Sequence, residues 1–440
     1  MAFISLGCAK ALVDTEQMMA SIALHGYPIA FDPDDAEVVV INTCSFLELA
    51  RAESYDVISE FEYKKGAGEV RAIAVVGCLP QLMGGELNVM FQGVDLWIPI
   101  SREANIATEL DELLGYGPEA PRKVTPLDPA PRLLVTPPHT AYLKIAEGCD
   151  NCCSYCLIPR IRGPLVSRTS ESIVLEARQL AQMGVKELNL IGQDIAAWGR
   201  DRQSPKGLSG LVRELCGIDG IEWIRLLYAH PASIDEGMIE AIASNHKVCK
   251  YIDMPIQHSE NRVLSSMNRR ISRLGLISLI ERIRARIPEI ALRTTLMVGF
   301  PGETDAEFER LLEFMDVIKF DRLGAFVYSR EPGTAAASEA DQIPEELQGD
   351  RLERLMALQA DISLEKNSAL IGSEVEAIID GYPDDEGNGA RLIGRIRAQA
   401  PDVDGIISLV GDANPGDIVK AVVTTAGPYD LEGNISTAGQ

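Results

Sequence analysis

The sequence predicts a multidomain α/β protein with an N-terminal α/β domain, a partial (βα)6 barrel and a small C-terminal β-barrel. Three observations carry this reading. Within residues 1–115, continuous apolar runs stop at cysteines, the pattern of strands buried in a parallel sheet. From about 139 to 366 the chain repeats strand–helix units, six in all. From about 367 to 440 it changes to short strands separated by Gly, Pro, Asp and Asn. A length of 440 residues accommodates two or three domains at about 150 residues each.

In the first segment, Glu37-Val-Val-Val-Ile-Asn42 and Ala72-Ile-Ala-Val-Val-Gly77 read as buried strands. Each runs into a cysteine, at Asn42-Thr43-Cys44 and at Gly77-Cys78-Leu79-Pro80. A short opening strand does the same at Leu6-Gly7-Cys8. Ligands of open α/β sheets gather at the carboxyl ends of the strands. Any one of these cysteines could be an ordinary core thiol. Three at the same topological position predict convergence of Cys8, Cys44 and Cys78 on one rim, as a cluster site. Proline-rich sequence then marks residues 116–138 as a linker.

The second segment, 139–366, places strands at Ala141–Ile145, Glu187–Gly192, Trp223–Leu227, Tyr251–Pro255, Leu292–Gly299 and Arg322–Tyr328. Thr304-Asp-Ala-Glu307 fits a capping box opening a helix that carries Phe308, Leu311 and Leu312. Chemistry in such barrels sits at the carboxyl ends of the strands. The third segment, 367–440, predicts strands at Val375–Ile379, Gly389–Ile396, Gly405–Val410 and Asp417–Thr424.

Directly after the first barrel strand comes Cys149-Asp-Asn-Cys-Cys153-Ser-Tyr-Cys156. Cys149, Cys153 and Cys156 form a Cys-x3-Cys-x2-Cys triplet that can hold three irons of a [4Fe–4S] cluster. A cluster that only carries electrons normally takes a fourth cysteine. A triplet leaves one iron open for a small molecule. Structural zinc is the alternative, but zinc sites usually need a second pair of ligands, and none lies nearby in sequence. The register Cys149-x2-Cys152-x3-Cys156 is also open, with Cys152 the bystander in the preferred one. Cys216 and Cys249 read as core thiols, and His258 as a packing residue.

Nine cysteines without an export signal argue for metal or redox chemistry rather than disulfides. The N-terminus lacks a basic, apolar leader, and no apolar run approaches the roughly 20 residues of a membrane span. A cytoplasmic protein with no membrane partner is expected. The formal net charge is −24, which repels nucleic-acid phosphates and attracts basic partners. Residues 367–440 carry twelve acidic and four basic side chains, a poor surface for gripping RNA.

Three cysteine motifs add to the cluster loop: Ser5-Leu-Gly-Cys-Ala-Lys-Ala-Leu-Val-Asp-Thr-Glu16, Val40-Ile-Asn-Thr-Cys-Ser-Phe46 and Gly77-Cys78-Leu-Pro-Gln81. With it they resemble the radical S-adenosylmethionine (SAM) methylthiotransferases, nearly end to end. That resemblance implies an N-terminal methylthiotransferase domain (1–115), a radical SAM barrel (139–366) and a C-terminal TRAM barrel (367–440). Ala146-Glu-Gly-Cys-Asp, Ile161-Arg-Gly-Pro-Leu-Val-Ser-Arg168, Ile224-Arg-Leu-Leu-Tyr228 and Asp253-Met-Pro-Ile-Gln-His258 resemble the branch acting on small-subunit ribosomal protein twelve.

The implied reaction adds a methylthio group to the β-carbon of an aspartate in that basic protein. The implied cofactors are two [4Fe–4S] clusters and SAM. Cys149, Cys153 and Cys156 would then hold the cluster that binds SAM, and Cys8, Cys44 and Cys78 the second. Gln193 and Gln257, at inferred strand ends, become candidates for the polar parts of SAM. The loop Gly299-Phe-Pro-Gly-Glu-Thr304 would let backbone approach the cofactor, and Arg162 and Arg168 could serve a substrate or SAM carboxylate. Ala9 departs from the family's usual proline, and Cys152 is an addition. A tRNA adenosine methylthiotransferase is the nearest alternative, with a direct tRNA substrate not expected. An iron–sulfur electron carrier or sensor is the more distant one. The electron donor is not legible.

Overall fold

Two faces must be buried for a strand to read as continuously apolar, and the N-terminal sheet shows both. In the computed structural model, which describes residues 1–115, 129–203, 206–383 and 391–436, four parallel strands lie in the order β1-β2-β3-β4. They are β1 (Ala2–Ser5), β2 (Val38–Thr43), β3 (Ala72–Gly77) and β4 (Leu96–Pro99). Val39, Ile41, Ile73 and Val75 face one core with Ile58 and Phe61 of helix α2 (Glu48–Gly66). Val38, Val40, Ala74 and Val76 face the other with Met18 and Ile22 of helix α1 (Ala9–Leu24). The alternation is the period of two that a pleated strand imposes. Burying each such Val or Ile contributes roughly 1.5–3 kcal/mol, so both faces hold the sheet. The fourth strand, β4, was not expected.

The chain divides into two compact units. The first comprises Met1–Val135, Tyr142–Glu176 and Glu331–Thr334. Besides the sheet it contains the cysteine loop, whose stem is β6 (Ala146–Glu147) paired antiparallel with β7 (Val166–Ser167). The strand before it, β5 (Thr140–Lys144), straddles the division.

The second unit comprises Thr136–Ala141, Ala177–Arg330 and Ala335–Gln440. Here β8 (Glu187–Ile191) and β9 (Trp223–Leu226) pair in parallel, as do β10 (Tyr251–Asp253), β11 (Ala291–Val298) and β12 (Arg322–Val327). With β5, these are the six strands expected of a partial barrel. The capping box is present: the Thr304 hydroxyl accepts from the Glu307 N–H and the Glu307 carboxylate accepts from the Thr304 N–H, opening helix Asp305–Ile318.

Five strands close the C-terminal barrel in the order β13-β14-β15-β17-β16. They are β13 (Glu374–Gly381), β14 (Arg391–Ile396), β15 (Ile407–Val410), β16 (Ile418–Ala426) and β17 (Leu431–Ile435). Four were expected. The fifth, β17, completes closure by pairing with both β15 and β16. The acidic residues Asp384, Asp385 and Glu386 and most of the expected linker lie outside the described residues. Among the described residues no helix is long and apolar enough to cross a membrane.

Candidate active site

All six candidate cysteine ligands fall in the first unit. The loop triplet is held by its own backbone. Gly148 enters the loop at φ +71°, and a Cβ there would meet the Pro164 carbonyl oxygen at 2.0 Å, so only glycine lets the two sides approach this closely. The Cys149 N–H donates to the Gly163 carbonyl at 3.1 Å, and the Leu165 N–H donates to Asp150 Oδ1 at 2.9 Å. A turn joins the Cys156 N–H to the Cys153 carbonyl at 3.1 Å.

The Cys149 and Cys156 sulfurs accept hydrogen bonds. Cys149 Sγ takes the Asn151 N–H at 3.4 Å and the Asn151 side-chain amide at 3.5 Å, while Cys156 Sγ takes the Ile158 N–H at 3.4 Å. Such donors favour the thiolate form that a metal requires. Cys149, Cys153 and Cys156 are half-buried. Cys152 is exposed, with its thiol 3.7 Å from the Asp150 carbonyl oxygen.

The second triplet is assembled by the sheet. Cys8 immediately precedes α1, Cys44 follows β2, and Cys78 begins helix α3 (Cys78–Met83) at the end of β3. Because β1, β2 and β3 are neighbours, the three cysteines share one rim. Cys44 and Cys8 lie near enough to act electrostatically on Cys78. Burial pushes the Cys78 thiol up to about 12, opposed by the Arg162 guanidinium. Burial also raises the Cys44 thiol. Metal binding at these positions must therefore expel protons.

Among the described residues, no three His, Cys, Asp or Glu side chains gather closely enough for a single metal ion. A four-iron cluster sets a different requirement, since each thiolate binds its own iron.

A buried charge network adjoins the second triplet. Arg162 Nη1 donates to Asp14 Oδ2 and to Glu147 Oε2, both at 2.9 Å, and Nη2 lies 3.7 Å from Cys78 Sγ. Lys144 serves the same two carboxylates. Glu103, buried beside them, is pushed up to about 8 by burial and then by Asp14. Leu157 and Ile161, just after the cysteine loop, pack on Cys78.

Arg168 donates to Glu176 at 2.6 Å and to the Lys144 carbonyl at 2.7 Å. Both arginines proposed for a substrate or SAM carboxylate are thus engaged with groups of the protein itself. Sequence reasoning missed Asp14 and Asp150. For Asp150 the available signal was a carboxylate next to Cys149, whereas the role of Asp14 depends on a tertiary contact with Arg162 that no local pattern shows.

The two candidate glutamines belong to the second unit. Gln193 is half-buried, two residues beyond β8. Gln257 has φ +71°; its N–H donates to the Thr295 carbonyl at 2.9 Å and its own carbonyl accepts the Met297 N–H at 2.8 Å. This bridge to β11 fixes the backbone, yet Gln257 Oε1 is buried with no hydrogen-bond partner among the described residues. A buried acceptor of this kind suits a ligand that donates.

The Gly299–Thr304 loop folds on its own glutamate: Glu303 Oε2 accepts the Gly299 and Phe300 N–H groups at 2.8 and 3.2 Å. His258 is fully buried, and burial lowers its pKa to about 3, so it packs as a neutral ring. Cys249 is buried, and Cys216 ends a helix.

Fold and cysteine loop together define the class. A Radical SAM superfamily pattern matches residues 143–315, a pattern described as uncharacterized protein family UPF0004 matches 1–99, and a TRAM domain pattern matches 371–435. A protein named ribosomal protein uS12 methylthiotransferase RimO, from Geobacter sulfurreducens, is 45% identical over 440 residues, covering 98% of this chain and 97% of the relative. Its namesake from Geotalea uraniireducens is 44% identical, with the same coverage of each chain. The chain belongs to the ribosomal protein uS12 methylthiotransferase family.

Among solved structures, the radical SAM methyltransferase TsrM from Kitasatospora setae superposes with a TM-score of 0.59 at 13% identity, covering 82% of this chain and 88% of that one. The cobalamin-dependent SAM radical enzyme OxsB gives 0.51 at 10% identity, covering 81% of this chain and 56% of that one. These two share the fold.

Proposed function

We propose that this chain adds a methylthio group to ribosomal protein uS12, at the β-carbon of an aspartate. The observation that carries the reading is near-full-length similarity, at 42–45% identity, to proteins named for uS12 methylthiolation. Two cysteine triplets within one compact unit add chemical support.

The residues suit the cofactors. Each triplet offers three thiols, the loop turns N–H donors toward sulfur, and Gln257 keeps a buried acceptor unused. Two [4Fe–4S] clusters and SAM supply the hydrogen-atom abstraction and sulfur transfer that side-chain acids and bases cannot perform. In this reading Cys149, Cys153 and Cys156 hold the cluster that binds SAM, and Cys8, Cys44 and Cys78 hold the other. The Asn151 and Ile158 N–H groups stabilise the loop thiolates. Gln193 and Gln257 orient the polar groups of SAM. Cys152, exposed and turned to a carbonyl, stays outside the set.

A surface of net charge −24 suits a basic ribosomal protein through complementary fields, and such a substrate places the reaction in the cytoplasm. The test is mass analysis of uS12 and of tRNA nucleosides from a strain lacking the gene. Loss of the uS12 modification with tRNA unchanged is expected. Loss of methylthiolated adenosine with uS12 unchanged would overturn the reading.

A further inference from the structure

We propose that Arg162, by the positive charge it places beside Cys78, tunes the reduction potential of the cluster held by Cys8, Cys44 and Cys78. The proposal rests on reading those cysteines as cluster ligands. Arg162 follows the short helix Ile158–Ile161, and its N–H donates to the Ile158 carbonyl at 2.7 Å, which anchors it beyond the other cysteine loop.

From there its side chain runs into the interior, with 8% of the residue exposed. Asp14 and Glu147 take Nη1 at 2.9 Å each, and this pins the planar fork. Pinned in this way, Nη2 is directed at Cys78 Sγ, 3.7 Å away. Asp14 stands on α1, which begins directly after Cys8, so the carboxylate that steers the arginine belongs to the same triplet's framework.

A neutral thiol gains little from a buried guanidinium. A thiolate-ligated iron–sulfur core carries negative charge, and there a fixed cation has a defined effect. Arginine stays charged at any pH the protein survives. Hydrogen bonds to sulfur and net local charge are the terms by which a protein tunes cluster potentials. A cation at Cys78 stabilises the reduced, more negative core and raises its potential. The same residue lies in the segment that follows Cys156, whose Leu157 and Ile161 pack on Cys78. Arg162 is thus a positioning residue acting through Cys78, with no required contact to substrate.

The experiment uses the full chain carrying Cys149→Ala, Cys153→Ala and Cys156→Ala, reconstituted anaerobically with iron and sulfide so that only the N-terminal site is loaded. Its midpoint potential is read by redox titration with electron paramagnetic resonance (EPR) detection. Arg162→Gln should shift the midpoint to more negative values, and Arg162→Lys, which keeps the charge but loses the fork, should fall between. An unchanged midpoint in R162Q overturns the proposal, because a purely structural role leaves the potential where it was. Should R162Q load no iron, R162K decides. Restored loading supports a charge role, and failure of the lysine overturns it. Absence of iron from the parent triple variant would instead sink the assignment of Cys8, Cys44 and Cys78, and this proposal with it.

Discussion

The two cysteine triplets are built in opposite ways. Cys149, Cys153 and Cys156 share one loop, tied by a two-residue ladder, a turn and an aspartate from within the loop. Cys8, Cys44 and Cys78 come from the ends of three strands far apart in sequence, and they meet only when β1, β2 and β3 pair in register. The loop is a local product, whereas the rim is a tertiary one. Closing long stretches of chain costs entropy that only the packed sheet repays. Damage to the sheet should therefore fall on the rim site first, while damage to the loop should stay in the loop.

The largest effects test whether the sites are chemically separate. Replacing Cys149, Cys153 and Cys156 by Ala should abolish 5′-deoxyadenosine formation, measured by chromatography, and leave iron at the rim. Replacing Cys8, Cys44 and Cys78 should leave SAM cleavage in place and end methylthio transfer to uS12. Continued deoxyadenosine formation in the first variant would break the assignment, as would normal transfer in the second.

A region with neither triplet supplies the next contrast. In the second unit, Glu187 is fully buried and pairs with Arg225 at 3.1 Å and with Arg395 at 2.7 Å. Burial alone would raise its carboxyl, but Arg395 and then Arg225 prevail and hold it down, from 4.5 to about 2. A depressed carboxyl stabilises the fold above its unfolded value and loses that contribution as pH falls through its folded one. Glu187→Ala strands the buried Arg225 and leaves Arg395 with Asp380 alone, and should cost about 3–5 kcal/mol in urea unfolding at pH 7. Between pH 4.5 and about 2 the variant's stability should fall less steeply than the parent's. Iron content of the folded variant should match the parent; loss of iron would show that the second unit controls the sites.

The two triplets were legible in the sequence to different depths. The loop shows as spacing alone. The rim required an inference, that apolar runs end in cysteines and that such ends converge; β1, β2 and β3 are parallel neighbours in the sheet. Strands β4 and β17 stayed hidden for physical reasons. Leu96–Pro99 is four residues ending in proline, and Leu431–Ile435 carries Gly433 and Asn434 in its middle, so neither has the run of β-formers that marks a strand. Arg162 was visible as a basic residue near the loop. Its partners Asp14 and Cys78 lie far away in sequence, and no local pattern pairs groups at that range.

Paired glycine substitutions sharpen the contrast. Gly77 has φ +100°, and a Cβ there would meet Asn42 Oδ1 at 2.3 Å and the Thr43 carbonyl at 2.9 Å, at the strand ends that carry Cys44 and Cys78. Gly148 is the equivalent position in the loop stem. Backbone strain alone should cost each alanine variant about 1–3 kcal/mol, with the clash in addition. G77A should lower iron at the rim and spare SAM cleavage, and G148A should do the reverse. Iron stoichiometry and deoxyadenosine yield on the same samples separate the two. Parallel losses in both variants would mean that the loop is no more autonomous than the sheet.

The smallest effect tests autonomy within the loop. Asp150 sits next to Cys149, and its Oδ1 accepts the Leu165 N–H at 2.9 Å, tying the cysteine side of the loop to the returning strand. Asp150→Ala removes one hydrogen bond, worth about 0.5–1.5 kcal/mol net. That is at most about a tenfold change in a rate or equilibrium. The loop cluster should still assemble, because the ladder and the Cys149–Gly163 bond remain. It should lose iron to a chelator several-fold faster than the parent, with Asp150→Asn in between because its side-chain oxygen can still accept. Iron at the rim should leave at the parental rate, since Cys8, Cys44 and Cys78 are placed by strands that Asp150 does not touch. The two rates are separable by EPR during chelation of the fully loaded protein. Equal acceleration at both sites would show that the loop's ties also hold the rim, and the distinction between a local and a tertiary site would fail.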